Sequence, residues 1–290
     1  MAKHYIAIHP SQSTTLCVWY VDETSAYRPD GSGERAEVPP GADPLDCVKA
    51  TRQNWTFIEM KFAPGEYHPR MARTSTSHPN DTPAAHPDNK QNKILIETSR
   101  GQLVALQEQM ERIFRTVHPT ENNFDTYGHE IRNLLLLAAT EVEAHWKGIL
   151  KANDVDGSST NDYVKLLPAM RLDDYAIGLP FYPWLPPIKP FGGWSASAPT
   201  RSLAWYDAYN AVKHDRETHF ESAKLVHAIE AVCACAVITF AQFGRSGFHD
   251  SAQLMRFFHL VEVPKWEYVN LYAVFPSTPR KPIPYPFKQA

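Results

Sequence analysis

The chain has 290 residues, a length that suits one large domain or two small ones. Its formal net charge of -3 argues against extended binding to duplex nucleic acid, because such binding needs a broad basic surface. The first residues carry no secretory signal, and the longest apolar run, residues 231–243, is shorter than the roughly 20 residues that cross a bilayer. We therefore expect a cytoplasmic protein without a membrane partner.

Residues 1–95 differ in character from the rest of the chain. Short runs with β-type alternation occur at residues 5–8, 16–21 and 55–62, separated by proline, glycine and small polar residues. We predict an irregular N-terminal region with short strands. Residues 69–92 hold four prolines and almost no apolar residue, so we expect this tract to be disordered-like. The histidines in and beside the tract, His68, His78 and His86, are expected to be solvated.

Helical spacing dominates the middle of the chain. Apolar residues recur at the helix period, and Pro119 ends the first of these patterns. Ser159 followed by Asp162 three residues later is a helix-capping signal. We therefore predict a mainly α chain in which residues 96–246 form a packed helical bundle. The expected helices span residues 97–118, 124–152, 160–170, 200–218 and 222–242.

Two further features complete the predicted organisation. Residues 178–199 are rich in proline, which excludes helix, and in large aromatic residues, which suggests an extended segment pinned to the bundle by its rings. Residues 247–290 are expected to form a proline-rich, extended C-terminal segment that packs on the bundle. Cys233 and Cys235 lie two apart in an apolar helical run, so we interpret them as small buried residues rather than as a disulfide or a metal site.

The segment WYDAYNAVKHDR, residues 205–216, concentrates groups that can carry chemistry. On a helix, Asn210 and His214 are four residues apart and therefore neighbours, with Lys213 and Arg216 close by. An imidazole can act as general acid or base near neutral pH, and the two cations can hold a phosphate. The alternative interpretation is structural: Asn210 and His214 form a satisfied polar pair, and the cations are solvated or paired with nearby carboxylates.

The predicted helix over residues 124–152 supplies a second set of polar groups. Glu141 and His145 share a helix face, and a buried carboxylate there must be paired. Arg132 is too far from Glu141 along the helix for direct contact, so its partner is expected on another helix. The paired Glu-x-x-His motifs of di-metal bundles are lacking, as are phosphate-loop and dinucleotide fingerprints, so we expect neither a metal nor a cofactor.

Two segments resemble the HEPN superfamily of helical domains, and more closely a bacterial group within it. Residues 126–150 contain EIRNLLLLA and TEVE, and residues 205–223 contain the W..AYN.VKH.R pattern. The resemblance covers about residues 100–245. It implies an antiparallel four- or five-helix bundle that is often dimeric. Catalytic members cut RNA without metal, using arginine, a polar residue, three further residues and histidine. Asn210 and His214 match this pattern, while Tyr209 stands where those members have arginine.

Three functions remain open at this point. The chain is a non-catalytic or weakly catalytic module that binds a protein partner, a nucleotide or RNA; or a metal-independent endoribonuclease, such as a toxin or phage-defence effector; or a purely structural module. A homodimer through the bundle is expected from the resemblance. The residues assigned to catalysis are His214, Asn210, Arg216 and Lys213, and those assigned to substrate binding are Tyr209, Arg132, Glu141 and Tyr206.

Overall fold

A computed structural model describes residues 2–10, 12–73, 90–247, 251–273 and 279–287, without the side chains of residues 12–16, 90–92, 216, 245 and 246. The chain divides into two compact units. Unit 1 combines Met1–His86 with Lys265–Pro284, and unit 2 combines Pro87–Pro264 with Tyr285–Ala290. Each unit has its own buried side chains.

Unit 1 is built on an antiparallel sheet of four strands in the order β3-β2-β1-β4. Strands β1 and β2 pair along most of their length, with Tyr5 opposite Trp19. One face of the sheet and α1 bury a small apolar core that includes Trp19 and Val48. The elements of this part of unit 1 are β1 (Lys3–His9), β2 (Gln12–Val21), β3 (Ala26–Tyr27), α1 (Pro44–Thr51), β4 (Thr56–Glu59) and β5 (Glu66–Tyr67).

Unit 2 is mainly helical and is centred on its most buried helix, α8, which packs against α2, α3 and α6. Helices α3 and α8 run parallel. Cys235 contacts Ala138, and seven residues further along both helices Gln242 contacts His145. The elements are α2 (Lys90–Phe114), α3 (His129–Ala152), α4 (Thr160–Tyr163), α5 (Leu166–Met170), β6 (Ala176–Gly178), α6 (Ala204–His214), α7 (Arg216–His219), α8 (Leu225–Phe243), α9 (Ala252–Phe257) and β7 (His259–Glu262).

The segment Lys265–Pro284 returns to unit 1. Its strand β8 (Lys281–Pro282) pairs in parallel with β5. Leu271 and Ala273 are buried against Ile6 and Met60. This part of the C-terminal region is therefore integral to the core of unit 1.

The predicted fold class, a mainly α chain built on an antiparallel four- or five-helix HEPN-like bundle, is wrong. The chain is mixed α/β: the four-stranded antiparallel sheet is the framework of unit 1, and β6 and β7 form a further antiparallel pair within unit 2. The helical pattern dominated the prediction because it runs over long segments. The strands cover fewer residues than the helices, and β4, β5 and β6 pair with strands that lie far from them in the sequence.

The predicted loop tract lies largely outside the described residues, which resume at Lys90 where α2 begins. His78 and His86 are among the residues that the structure does not describe. His68 is buried, contrary to the expectation of a solvated side chain. Its Nδ1 lies 2.8 Å from the carbonyl oxygen of Ile283, and burial lowers the pKa of His68 to about 4.

Helix α8 is the one helix, among the residues described, that is long and apolar enough to span a bilayer. Most of it is buried inside unit 2, as in the core helix of a soluble protein. Cys233 and Cys235 are both buried on this helix, which confirms the prediction that they are small buried residues.

Candidate functional site

Helix α3 presents polar side chains to α6 beside its buried stripe: these are Glu143 and Thr140, whose hydroxyl lies 3.5 Å from that of Tyr209. The apolar residues Val142 and Trp146 are fully buried in the interior of unit 2. Glu143, one residue beyond Val142, is displaced by about 100° around the helix and remains 15% exposed. A carboxylate in this half-enclosed position needs hydrogen-bond donors, and α6 supplies them.

The donors are two tyrosines one turn apart on α6. The Tyr206 hydroxyl donates a short hydrogen bond to Oε1 of Glu143, and the Tyr209 hydroxyl donates to Oε2 at 3.2 Å. Lys213, a further turn along, donates from Nζ to the Tyr209 oxygen at 2.8 Å and lies 3.7 Å from Oε2 of Glu143. We call these four residues the Glu143 cluster.

The electrostatics of the Glu143 cluster favour a protonated Tyr206. Burial, and next the hydrogen bond to Glu143, raise the pKa of Tyr206 far above its usual value. The hydrogen bond to Tyr209 raises the pKa of Lys213, with Glu143 adding to the effect. Tyr206 therefore acts as a hydrogen-bond donor rather than as a base, and Lys213 is an ammonium group.

The two residues that match the HEPN pattern do not join one another. The Asn210 amide donates to the main-chain oxygen of Tyr206 at 3.0 Å, one turn back on the same helix. His214 is the last residue of α6 and is exposed. Among the described residues, its imidazole has no hydrogen-bond or ion-pair partner. Arg216 opens α7, and its side chain lies outside the described part of the structure.

Arg132 and Glu141, assigned to substrate binding from the sequence, lie apart from the Glu143 cluster. The Arg132 guanidinium donates to the side chain of Asn133 at 3.0 Å and lies 5.9 Å from the ring centre of Phe220. Glu141 faces His145 instead, with 3.4 Å between its Oε1 and Nε2 of the imidazole. The structure therefore brings together Tyr206, Tyr209 and Lys213 from the predicted set and leaves these two elsewhere.

Glu141 belongs to a second buried polar group between α3 and α8. Gln242 donates from Nε2 to Nδ1 of His145 at 2.9 Å, which leaves the Nε2 proton of the imidazole directed at Glu141. Burial raises the pKa of Glu141. The expectation that a carboxylate at this position would be paired is confirmed. Its partner is His145 on the same helix.

Aromatic rings close the inner side of the Glu143 cluster. Trp146 stacks on Trp194 with ring centres 4.8 Å apart and contacts Tyr163 and Tyr206 at 5.3 Å each. The Tyr163 hydroxyl and the Trp146 indole N–H are buried without a hydrogen-bond partner in the described chain. These rings pack around Trp146 beside the cluster, whereas the Lys213 side chain is 43% exposed.

Unit 1 contains a cavity of about 760 Å³ that sequence reasoning did not anticipate, since its walls come from separate segments. Trp19 and Trp55 line it, with the Arg52 guanidinium 4.6 and 5.5 Å from their ring centres. Glu34 accepts hydrogen bonds from both Arg52 and Arg28. The Glu34 carboxylate in the wall is therefore already neutralised by two cations.

Comparison with known proteins leaves the chain without a family assignment. No protein-family model, no curated protein and no solved structure matches it. Within the described ranges, no three histidine, cysteine, aspartate or glutamate side chains are grouped as metal ligands would be. The resemblance to HEPN proteins rests on the two sequence segments alone.

Proposed function

We propose that the protein is a cytoplasmic, HEPN-related binding module that lacks ribonuclease activity or retains only a trace of it. Its ligand is a protein partner, a nucleotide or RNA. The proposal is supported by the state of the residues on α6 that fall in the catalytic pattern or beside it. Tyr209, Asn210 and Lys213 are engaged in hydrogen bonds within unit 2, and His214 is exposed.

The observation that carries the proposal is the position of Tyr209. This residue stands where catalytic HEPN proteins have arginine, and it is 1% exposed. Its hydroxyl is bound by Glu143 and Lys213. A buried neutral phenol cannot stabilise the charge that builds on a phosphate during RNA cleavage, a role that an arginine performs through bidentate hydrogen bonds.

The neighbouring groups do not compensate for this replacement. A general base must be oriented within hydrogen-bond reach of the hydroxyl that it deprotonates. His214 lies exposed at the end of α6, and in the described structure no side chain orients it. The Lys213 ammonium is held by Tyr209 and Glu143. Neither group is therefore arranged around a shared substrate position.

Cleavage of RNA tests this proposal directly. Purified wild-type protein and His214→Ala would each be incubated with total cellular RNA in the presence of EDTA, and the intact fraction measured over time. We expect equal RNA survival in the two samples and in a sample without protein. His219→Ala, which removes another exposed histidine close by, is the matched control. RNA loss that requires His214 but not His219 would replace this proposal with the endoribonuclease alternative.

Ligand binding separates the module from a purely structural protein. A ligand that binds the folded state raises the midpoint of thermal unfolding in a concentration-dependent manner. Single-stranded RNA, ATP and GTP would each be titrated against wild-type protein and Lys213→Ala, because Lys213 is the exposed cation of the Glu143 cluster. A shift that Lys213→Ala abolishes would locate the ligand at this cluster.

A homodimer remains part of the proposal. Leu137 is exposed in the middle of α3. A two-fold contact between copies of the chain through α3 would cover this side chain. Sedimentation velocity of wild-type protein and Leu137→Glu would test this: the wild type is expected as a dimer and the variant as a monomer. Two identical monomer profiles would exclude a homodimer through α3.

A further inference from the structure

A continuous aromatic surface lies on unit 2, away from the Glu143 cluster. It is formed by Phe181, Tyr182 and Trp184 from the proline-rich segment, together with Arg115 at the end of α2 and Arg256 on α9. We call these five residues the aromatic–arginine surface. The sequence predicts that the rings of this segment pin it to the helices. Phe191 and Trp194 are indeed buried, but Phe181 and Trp184 remain 50% and 49% exposed.

The rings form one connected patch. Tyr182 contacts Trp184 with ring centres 5.7 Å apart, and it packs on Phe114 and Phe257 beneath. Phe181 also contacts Phe257, at 6.3 Å. Tyr182 therefore anchors the patch to α2 and α9, while Phe181 and Trp184 stand on either side of it with much of their apolar area in solvent.

The patch is held in place by bonds within unit 2. The Trp184 indole donates to the main-chain oxygen of Pro119 at 2.7 Å, and the ring stacks on His118 at 4.9 Å. Main-chain hydrogen bonds from Tyr182 to Leu179 and from Leu185 to Tyr182 form tight turns around the exposed rings. Side chains that are already fixed in the free protein lose little conformational entropy when a partner binds to them, which favours binding.

Two arginines flank the rings. The Arg256 guanidinium lies 5.8 Å from the ring centre of Phe181. Arg115 directly follows Phe114, whose ring centre lies 4.9 Å from that of Tyr182. Burial raises the pKa of Tyr182, and the nearby charges of Glu111 and Arg115 act on it in opposite directions. Among the described residues, neither guanidinium forms a hydrogen bond or ion pair. The surface thus offers two unpaired cations against one nearby carboxylate.

We propose that the aromatic–arginine surface docks an acidic protein segment that carries at least one large apolar anchor residue. Tryptophan, tyrosine, phenylalanine and arginine are the residues that dominate protein-binding hot spots, and both the rings and the cations of this surface are of that kind. The anchor covers the exposed faces of Phe181 and Trp184, and the acidic groups of the partner pair with Arg115 and Arg256.

Charge favours a protein over nucleic acid as the occupant. A single nucleic-acid strand needs a row of cations that follows its phosphates. Here the two arginines stand at the margins of the rings, Glu111 lies beside them, and the whole chain has a formal net charge of -3. This inference rests on the proposed function in one respect, because it names the partner of the proposed binding module. Its residues are not those of the Glu143 cluster.

The test is an unbiased selection on the intact protein. A library of short random peptides displayed on phage would be selected on immobilised wild-type chain and depleted on Trp184→Ala. We expect the enriched peptides to carry an excess of Asp and Glu together with Trp, Phe or Leu. One enriched peptide, fluorescently labelled, would then be titrated by anisotropy. Phe181→Ala and the double variant Arg115→Glu/Arg256→Glu should each weaken its binding at least about tenfold.

Matched controls separate docking from loss of the fold. Tyr127→Ala removes another half-exposed ring, and Arg201→Glu reverses another exposed arginine, both away from this surface. These variants should bind as the wild type does, and circular dichroism should show all variants folded. Phe181→Ala is the safer ring variant, since the Phe181 side chain donates no hydrogen bond.

Three results would overturn the inference. They are enrichment of peptides without acidic or apolar bias, peptide binding that survives Phe181→Ala and the double charge reversal, and binding of a single-stranded RNA oligonucleotide that the same substitutions abolish. Cleavage of RNA by His214 would refute the proposed function and leave peptide docking intact. The two failures are therefore distinguishable.

Discussion

Glu143 connects helices α3 and α6, because one carboxylate receives the hydroxyls of two tyrosines. We expect Glu143→Ala to lower the free energy of unfolding by about 2–3 kcal/mol, since two buried donors lose their acceptor. Lys213→Ala should cost less than about 1 kcal/mol, because that side chain is largely solvated. Urea denaturation measures both values. Lys147→Ala, at an exposed position on α3, is the control. A larger loss of stability in Lys213→Ala than in Glu143→Ala would contradict this account of the cluster.

Three of the four residues of this cluster could be predicted from the sequence, and the fourth could not. Tyr206, Tyr209 and Lys213 lie at helical spacing within one segment, so their proximity follows from the helix period. Glu143 was missed as their partner because intrahelical spacing says nothing about which residue of a second helix lies opposite. The exposure of His214 could not be foreseen either, since it depends on α6 ending at that residue.

Glu230 on α8 makes the stability of unit 2 depend on pH. Burial raises its pKa from 4.5 to about 7, and its carboxyl has no hydrogen-bond or ion-pair partner in the described chain. Between these values the folded state binds more protons than the unfolded state. The stabilisation is therefore complete below about pH 4.5 and is lost as the pH rises through about 7.

Glu230→Gln should remove this dependence. We expect the variant to gain about 1–2 kcal/mol relative to wild type between pH 5 and pH 8, which allows for solvent screening at a partly exposed site. Urea unfolding at several pH values measures the difference. Glu221→Gln, at an exposed position, should differ from wild type by a constant amount. A constant difference for Glu230→Gln as well would refute this role.

At the scale of elements, the long helices were predicted to within seven residues at each end, the largest difference being that α2 begins at Lys90 rather than near residue 97. The ends of the short helices were not predicted. Helix α3 starts at His129 rather than near residue 124, because the main-chain oxygens of Phe124 and Thr126 accept hydrogen bonds from the start of α8. The helix expected over residues 200–218 stops at His214, since the Asp215 side chain caps α7 instead. Both boundaries are set by contacts that a local pattern does not contain.

The burial of α8 also leads to a prediction about thiol reactivity. Burial raises the pKa of Cys17, Cys233 and Cys235, so these thiols stay protonated and inaccessible, whereas Cys47 on α1 is partly exposed. We expect Ellman's reagent to titrate one thiol in the native protein and all four after denaturation. Native Cys47→Ser should show no reactive thiol. Rapid reaction of more than one thiol without denaturant would show that α8 is less enclosed than described.

At the scale of the whole molecule, the least predictable feature is that unit 1 is discontinuous. Periodicity is a local signal, and it cannot reveal that residues near position 270 complete a core begun near position 6. The return segment contributes the buried Leu271 and Tyr272. It also accepts a hydrogen bond of 2.7 Å from Arg73 Nη1 at the carbonyl oxygen of Asn270. The proline-rich composition of residues 276–287 suggested only an extended tail.

Truncation after Pro264 should therefore unfold unit 1 and spare unit 2. Burial of the lost apolar side chains is worth about 5 kcal/mol, comparable with the whole stability of a small domain. Hydrogen exchange with mass spectrometry is the measurement: protection of β1 should disappear while that of α3 and α8 persists. Truncation after Pro284 is the control, because it removes from the described chain mainly the bond between the Tyr285 amide and Asn153. If β1 stays protected in the variant truncated after Pro264, the N-terminal sheet is stable without the return segment. Unit 1 would then consist of the N-terminal residues alone.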